Sequence, residues 1–300
     1  MKRVAAIDIG TNSTRLLVAE ITGARLETVE AGLDTTRLGE GIDSGVLLPG
    51  AMERTVEAIS RFHRTALGLG AERVVAVATS AVRDAANRDE FLALVGRRTG
   101  LAVRVLSGAE EAAASYRGVL SGLAVEPRST VVMDVGGGST EFVWTIEGYL
   151  RLVSVNVGAV RMTGAGAGKD EIAAILRPAL AEVCQGQVET LVGVGGTVTT
   201  LAAIDQGLAL YDRERVHGYR LTAGRVSDIL EYLKKISLEE RRRVPGLQPE
   251  RADIIVAGIV IVKSVLEGLG RDRLLVSECD IIHGLVLEEV EIKKGIFFLN

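Results

Sequence analysis

The sequence is short of the residues from which several common sites are built. Only two of its 300 residues are cysteines, Cys184 and Cys279, and they form no CxxC pair. Neither a disulfide framework nor a zinc site is indicated, and two buried thiols in a reducing, cytoplasmic compartment are expected. The three histidines, His63, His217 and His283, lie far apart and no HxxH or HExxH occurs, so nothing supports a histidine-built metal centre. The motifs GxSxG, GxxxxGK[ST] and GxGxxG are absent, which removes the nucleophile elbow, the P-loop and the dinucleotide turn. Net charge is −4, from 35 basic and 39 acidic residues, leaving no broad basic face for duplex nucleic acid or a membrane surface. The longest apolar run, Ile254 to Val262, stops at Lys263 and is too short to cross a bilayer; it reads as a buried helix. The N-terminal apolar run stops at Asp8, too short for a secretory signal.

What is present is aliphatic and glycine-rich. Apolar residues make up 47%, charged residues 25% and aromatics 4%, with 35 glycines, so the chain folds around Val, Leu, Ile and Ala and turns tightly at many points. Its length suits two lobes. VAAIDIG reads as a strand ending in an acid and a glycine, TNST as a turn, and RLLVAEI as a second strand. An amphipathic helix from about Ala51, the strand VVAVAT, a helix around Phe91 and Val95, and the strand VRVLSG follow. EEAAASYRGVLSGL then forms a helix with Glu110 and Glu111 in its first turn. At Thr130 the opening is replayed: Asp8, Gly10, Ser13 and Thr14 line up with Asp134, Gly136, Ser139 and Thr140. We therefore expect an α/β protein of two related lobes, residues 1–122 and 123–300. The second adds the strand LVSVNVG, a helix from about Gly168 to Cys184, a strand reaching Gly195, Gly196 and Thr197 at a helix start, and mostly helix beyond, including one from Arg251.

The repeated turns carry the chemistry. Asp8 and Asp134 end strands in turns of Gly, Ser and Thr, where donors can hold phosphate oxygens while a carboxylate holds hydrated magnesium; alternatively each acid caps its own turn. The helix start at Gly195, Gly196 and Thr197 is a further anion site. Hydrolysis of a phosphoanhydride needs a carboxylate to orient and deprotonate water, for which Glu111 and Glu141 are candidates. Favourable first-turn charges are the simpler alternative for Glu110 and Glu111, and Glu141 can equally face solvent on its strand. Arg83 can neutralise a phosphate or pair with Asp84 or Asp89.

Taken in order, AAIDIGTNSTRLLV, ATSAVRDAAN, VLSGAEEA, DVGGGSTEF, VGAVRMT, GVGGTVTTLA, HGYRLT and VPGL with RADIIVAG resemble the exopolyphosphatase and guanosine pentaphosphate phosphatase (Ppx/GppA) family, within the actin and sugar kinase superfamily. The resemblance implies two ribonuclease-H-like lobes around a central cleft, with the last helix, about residues 285–300, packing back on the first. It implies magnesium-dependent (or manganese-dependent) removal of a terminal phosphate by water. Glu111 matches the general base and Glu141 its companion. Asp8, Asn12, Ser13, Thr14, Gly136, Gly137, Gly138 and Ser139 match the phosphate loops and Arg83 takes a phosphate role; the reading from the residues themselves adds Gly195, Gly196 and Thr197 as phosphate contacts and puts Asp8 and Asp134 at the metal. A homodimer is implied as well.

Two departures stand out. Ile282-His283-Gly284 replaces a common Arg-Glu-Gly run, and the chain stops at residue 300 where long members add C-terminal domains. With net charge −4, the expected substrate is short inorganic polyphosphate. Guanosine pentaphosphate is the alternative. An ATP-dependent phosphotransferase and a weakly catalytic sensor of guanosine tetra- or pentaphosphate also suit the architecture.

Overall fold

The N-terminal apolar run becomes a strand with both faces buried, and this explains its lack of alternation. The computed structural model describes residues 2–22, 25–186 and 188–294. It divides the chain into two units, one formed by residues up to Gly118 together with those from Ile281, the other by Val119–Asp280. The first contains β1 (Lys2–Ile9), β2 (Thr14–Thr22), β3 (Arg25–Asp34), α1 (Pro49–Gly68), β4 (Arg73–Ala78), the short α2 (Ser80–Arg83), α3 (Arg88–Thr99) and β5 (Val103–Val105). Then α4 (Gly108–Gly122) begins, and the division falls within it. The strands form one sheet in the order β3-β2-β1-β4-β5, antiparallel through β1, β2 and β3 and parallel through β1, β4 and β5.

On one face Ala5, Ile7 and Ile9 of β1 pack with Met52, Val56 and Ile59 of α1 and Phe91 and Val95 of α3. On the other, Val4 and Ala6 pack with Leu17, Ala19 and Ala114. A strand covered on both sides reads as a continuous apolar run.

The second unit contains β6 (Thr130–Val135), β7 (Thr140–Ile146), β8 (Tyr149–Val155), α5 (Ala159–Gly164), α6 (Lys169–Val183), β9 (Thr190–Val194) and α7 (Gly196–Asp205). It continues with α8 (Arg213–Val216), β10 (Arg220–Thr222), α9 (Ala223–Lys235), α10 (Leu238–Arg241), α11 (Ile255–Gly268) and β11 (Arg273–Val276). Its sheet order is β10-β11-β9-β6-β7-β8. Read from the meander inward, β8-β7-β6-β9-β11 repeats β3-β2-β1-β4-β5 in order and direction, with β10 added at the edge. Two units of one ribonuclease-H-like topology result.

The final element, α12 (Ile281–Lys294), supplies Ile281, Ile282, Leu285 and Val286 to the second apolar face of the first sheet. It lies with the first unit from its first residue, a few residues before the point the sequence indicated; residues 295–300 of that expectation lie outside the described residues. Gly284 is required there, because a β-carbon would sit 1.9 Å from the Ala114 carbonyl oxygen of α4. The run Ile282-His283-Gly284 is thus a packing seam, with Ile282 in the apolar cluster and His283 5% exposed.

Several expectations are corrected. The strand placed at LVSVNVG lies earlier, because Glu147 (φ 52°) and Gly148 (φ 83°) make a two-residue hairpin turn that sets the β7–β8 register. The helix placed from Arg251 begins at Ile255, and Arg251 lies instead in a 3₁₀ turn, Pro249–Arg251. Strand β3 was not anticipated: a register shift at Val18/Ala19 disrupts its pairing with β2, and most of it faces solvent. Neither cysteine is fully buried, Cys184 standing exposed just past the end of α6 and Cys279 half-buried. Among the described residues no helix is long and apolar enough to cross a membrane.

Candidate active site

The two acid–glycine turns close in the same way. Gly10 N–H donates to Ser13 O at 3.0 Å, and Gly136 N–H to Ser139 O at 3.0 Å. In the first turn, Thr11 O and Asn12 O accept from the backbone of Gly39 and Arg37, both at 2.8 Å. In the second, Gly136 O accepts from Ala159 N–H (3.0 Å) and Gly137 O from Val160 N–H (2.8 Å), while Arg161 Nε donates to Gly138 O (2.8 Å). With their carbonyls tied back, the turns present N–H groups. Those of Thr11, Asn12 and Ser13, and of Gly137, Gly138 and Ser139, donate to no protein acceptor among the described residues. Consecutive N–H groups so arranged form a concave anion site.

The next residue of each turn points the other way. Thr14 is fully buried with its hydroxyl 3.0 Å from Thr36 Oγ1, and Thr140 is fully buried with its hydroxyl on Val157 O at 2.6 Å. Each begins a strand, where successive side chains alternate faces. The Thr14 hydroxyl therefore lies inside the fold, and Thr14 serves the turn as a packing residue. Thr197 faces inward similarly: it is 3% exposed, and its Oγ1 lies 2.5 Å from where a β-carbon on Gly258 of α11 would stand.

Register decides what stands opposite each acid. Asp8 pairs across the ladder with Arg15, whose guanidinium binds Asp8 Oδ2 at 2.6 Å and 3.0 Å. In the second unit the matching rung is Asp134 against Glu141. Two carboxylates directly opposite on one face repel, so the place a guanidinium takes in one unit suits a cation in the other. Glu141 is 3% exposed and accepts from Ser154 Oγ on β8 at 2.7 Å.

Parallel pairing of Asp134 with Val194 brings Gly195 and Gly196 beside this rung. Gly195 has φ 90°, and a β-carbon on it would lie 2.6 Å from Val135 O and 2.9 Å from Asp134 Oδ1. Only glycine fits both the conformation and the space. The guanidinium of Arg251 covers Gly196, reaching within 2.1 Å of where its β-carbon would be. Asp134, Gly136–Ser139, Glu141 and the Gly195 turn thus share one end of the second sheet.

Glu110 and Glu111, adjacent in sequence, part company in the structure. Glu110 completes a capping box at the start of α4, accepting from Ser107 N–H and Oγ, both at 2.8 Å. The backbone bond from Ser107 holds its carboxyl below the usual range, aided by the Ser107 hydroxyl and the Arg104 charge against partial burial. Glu111, one residue on, is 6% exposed and forms an ion pair with Arg83 Nη1, which also donates to Leu106 O at 3.0 Å. The nearest approach of Arg83 to Asp84 is 3.6 Å. Thr11 Oγ1 lies 3.2 Å from Ser80 Oγ, linking the first turn to the short helix that carries Arg83. Arg83 and Glu111 therefore belong to the same side of the first unit as Asp8, Asn12 and Ser13.

Sequence reasoning passed over Arg15, Ser80, Ser154, Arg161 and Arg251. Arg161 and Arg251 lie in quoted segments, VGAVRMT and RADIIVAG, but Gly138 O, which accepts from Arg161, and Gly196, which the Arg251 guanidinium covers, are brought near only by the fold. Among the described residues no three His, Cys, Asp or Glu side chains are placed to hold a metal. Magnesium needs fewer, since it keeps several waters and binds through one or two carboxylates plus substrate phosphates.

Two related units, each with a phosphate-type turn, and a buried carboxylate held by arginine define a phosphoryl-handling protein of the actin-like fold. The Ppx/GppA phosphatase family matches residues 17–292, and the chain belongs to that family. Membership carries the enzyme class with it, hydrolases of phosphoric anhydrides. The chain is 36% identical to exopolyphosphatase 2 of Mycobacterium tuberculosis, over 96% of its own length and 98% of that protein's. The Aquifex aeolicus family member, a crystal structure, matches with a TM-score of 0.81 at 34% identity, covering 99% of both chains. A guanosine-5′-triphosphate,3′-diphosphate pyrophosphatase from Aeromonas salmonicida is 28% identical over 94% of this chain and 58% of its own.

Proposed function

We propose that this enzyme removes the terminal phosphate of short inorganic polyphosphate by attack of water. The observation that carries the reading is the pair of turns, each offering three consecutive N–H groups without a protein acceptor among the described residues. Such donors bind non-bridging phosphate oxygens and stabilise charge that grows on them during transfer. Short chains suit a net charge of −4, which offers no extended basic track for a long polyanion.

Glu111 takes a proton from the water as its oxygen bonds to the terminal phosphorus and the bridging P–O bond breaks; Glu141 assists as the companion carboxylate. Arg83 orients Glu111 through their ion pair. Its Nη2, which has no partner among the described residues, is the donor left for the phosphate. Magnesium fits the acid rung of the second unit: Asp134 would hold it, with Glu141 opposite, and when bound it would neutralise phosphate charge. Of the two acids Asp134 is our choice for the metal, because a second carboxylate, Glu141, stands opposite it on the ladder where Asp8 faces Arg15.

A guanosine pentaphosphate 5′-phosphohydrolase is the second reading, favoured by the name of the Aeromonas relative. We place the protein in the cytoplasm on its two free thiols and carry the homodimer from the resemblance alone; sedimentation equilibrium tests the latter. The deciding experiment measures phosphate release, with magnesium, from tripolyphosphate, long polyphosphate, guanosine pentaphosphate and ATP. Fastest release from tripolyphosphate supports the proposal. Comparable turnover of long and short chains removes the chain-length preference, faster release from guanosine pentaphosphate favours the second reading, and nucleotide binding without release from any substrate favours a sensor.

A further inference from the structure

Away from the phosphate turns, side chains that the hydrolytic reading does not use meet in a cleft of about 440 Å³ between α6 and α11 of the second unit. Helical spacing sets its α6 wall. Arg177, Leu180 and Ala181 stand seven, four and three residues before Cys184 and so share one face, and Cys184 keeps that phase because its N–H still donates to Leu180 O at 3.0 Å. Across the cleft, Ser264, Glu267 and Gly268 share one face of α11. The helices touch where Gly268 meets Leu180, whose Cδ1 lies 2.5 Å from the place a β-carbon would occupy, while the small side chain of Ala181 leaves space open beside it. A volume of this size, with a mostly apolar lining and a few polar groups, is that of a small-molecule site.

The polar groups specify the occupant. Ser264 is 5% exposed and its Oγ is buried with no hydrogen-bond partner. A serine inside a helix commonly returns its hydroxyl to the carbonyl four residues back, and buried hydroxyls are nearly always paired, so this one is left to bond a group entering the cleft. Arg177 is exposed and makes no hydrogen bond or ion pair among the described residues. Glu267, by contrast, is 3.0 Å from Lys169 and 3.9 Å from Lys263, so its charge is balanced and the guanidinium remains for an anion. Cys184 contributes an exposed, free thiol. Thiol and guanidinium are separated by about 10 Å of helix, with the serine on the facing wall. A short peptide-like thiol bearing carboxylates answers all three groups: its sulfur meets Cys184, a carboxylate meets Arg177 and an amide carbonyl accepts from Ser264.

We infer that Cys184 is an S-thiolation site, and that the α6–α11 cleft binds the attached small thiol through Arg177 and Ser264. In the step, the Cys184 thiolate attacks one sulfur of the oxidised, disulfide form of the small thiol. The new S–S bond forms as the old one breaks, and the departing half leaves as a thiolate that takes up the proton lost by the cysteine. One protein thiol is oxidised and one small thiol is released reduced. Nothing here depends on the reaction at the phosphate turns.

Oxidised glutathione is the probe, equilibrated with reduced glutathione, and peptide mass spectrometry reads the exchange equilibrium constant at Cys184 and Cys279 separately. At Cys184 the constant should exceed that of the same cysteine in the urea-unfolded chain by about tenfold or more. Arg177→Met, an exposed change that the fold tolerates, should lower it by about threefold to fivefold, and Ser264→Ala by about threefold to tenfold. Arg177→Met should leave exchange with the uncharged bis(2-hydroxyethyl) disulfide within about twofold, which separates binding of the adduct from any change in the thiol itself. Lys235→Met, an exposed charge at the end of α9, is the control for net charge and should match wild type. An adduct at Cys184 no more stable than in the unfolded chain, preferential reaction at Cys279, equal losses on both disulfides in Arg177→Met, or a Ser264→Ala constant equal to wild type would each overturn the inference.

Discussion

Glutamine in place of Glu111 keeps the shape of the side chain and removes its charge, so the substitution separates what this carboxylate does for the fold from what it does for the reaction. The Glu111 and Arg83 side chains are 8% and 20% exposed. Two unit charges about 4 Å apart attract by roughly 4 kcal/mol at an effective dielectric of 20, and desolvation cancels much of that. After the change Arg83 keeps Leu106 O at 3.0 Å and Asp84 at 3.6 Å, and the glutamine oxygen still accepts a hydrogen bond. The stability loss should then be about 1–2 kcal/mol, or about 2–8 °C in melting temperature. The rate should fall much further, by about 10²–10⁴ in kcat, as expected for loss of a general base. Arg83→Met completes a double-mutant cycle. Because Arg83 orients Glu111, the two losses in kcat should be sub-additive, the arginine mattering less once the base is gone. Phosphate release from tripolyphosphate and thermal melts on the four proteins provide the assay. A Glu111→Gln enzyme within tenfold of wild-type kcat would remove the general base from Glu111, and strictly additive losses would refute the orienting role of Arg83.

Gly195→Ala forces a β-carbon to 2.6 Å from Val135 O at φ 90°, and should cost about 1–3 kcal/mol in chemical denaturation together with most of the phosphate-release activity. Gly284→Ala, with its β-carbon 1.9 Å from Ala114 O, should also destabilise the fold by about 1–3 kcal/mol by lifting α12 from α4; a melting temperature equal to wild type would contradict the close approach. Asp134→Asn should raise the magnesium needed for half-maximal rate by about tenfold or more, with calorimetric metal binding weakened in parallel, whereas unchanged metal dependence would move the ion elsewhere. Glu110 titrates below its ordinary 4.5 in the fold, so its contribution is full above that pH and is lost as the pH falls through the lowered value. Urea melts of wild type and Glu110→Gln should therefore differ at neutral pH and converge in acid.

Local patterns carried much of this reading. The run VAAIDIG marks a strand, TNST and GGGST mark turns, and their recurrence at Asp8 and Asp134 marks two units, because strand propensity, turn chemistry and repetition are written within a few neighbouring residues. Glu111 could be singled out by the same means, but not separated from Glu110, since both occupy the first turn of one helix. What separated them was position in space: Arg83, 28 residues back, reaches Glu111, while Glu110 folds onto Ser107. Tertiary structure likewise turned the Thr14 and Thr197 side chains inward, set Arg15 opposite Asp8 but Glu141 opposite Asp134, and returned α12 to the first sheet. It also brought Arg161 and Arg251 to the turns from distant segments. Hydrophobic periodicity and glycine conformation act between near neighbours and can be read along the chain. The partner of a charge is whatever strand register and helix packing place within a few ångströms of it, and that is settled only when the whole chain has folded.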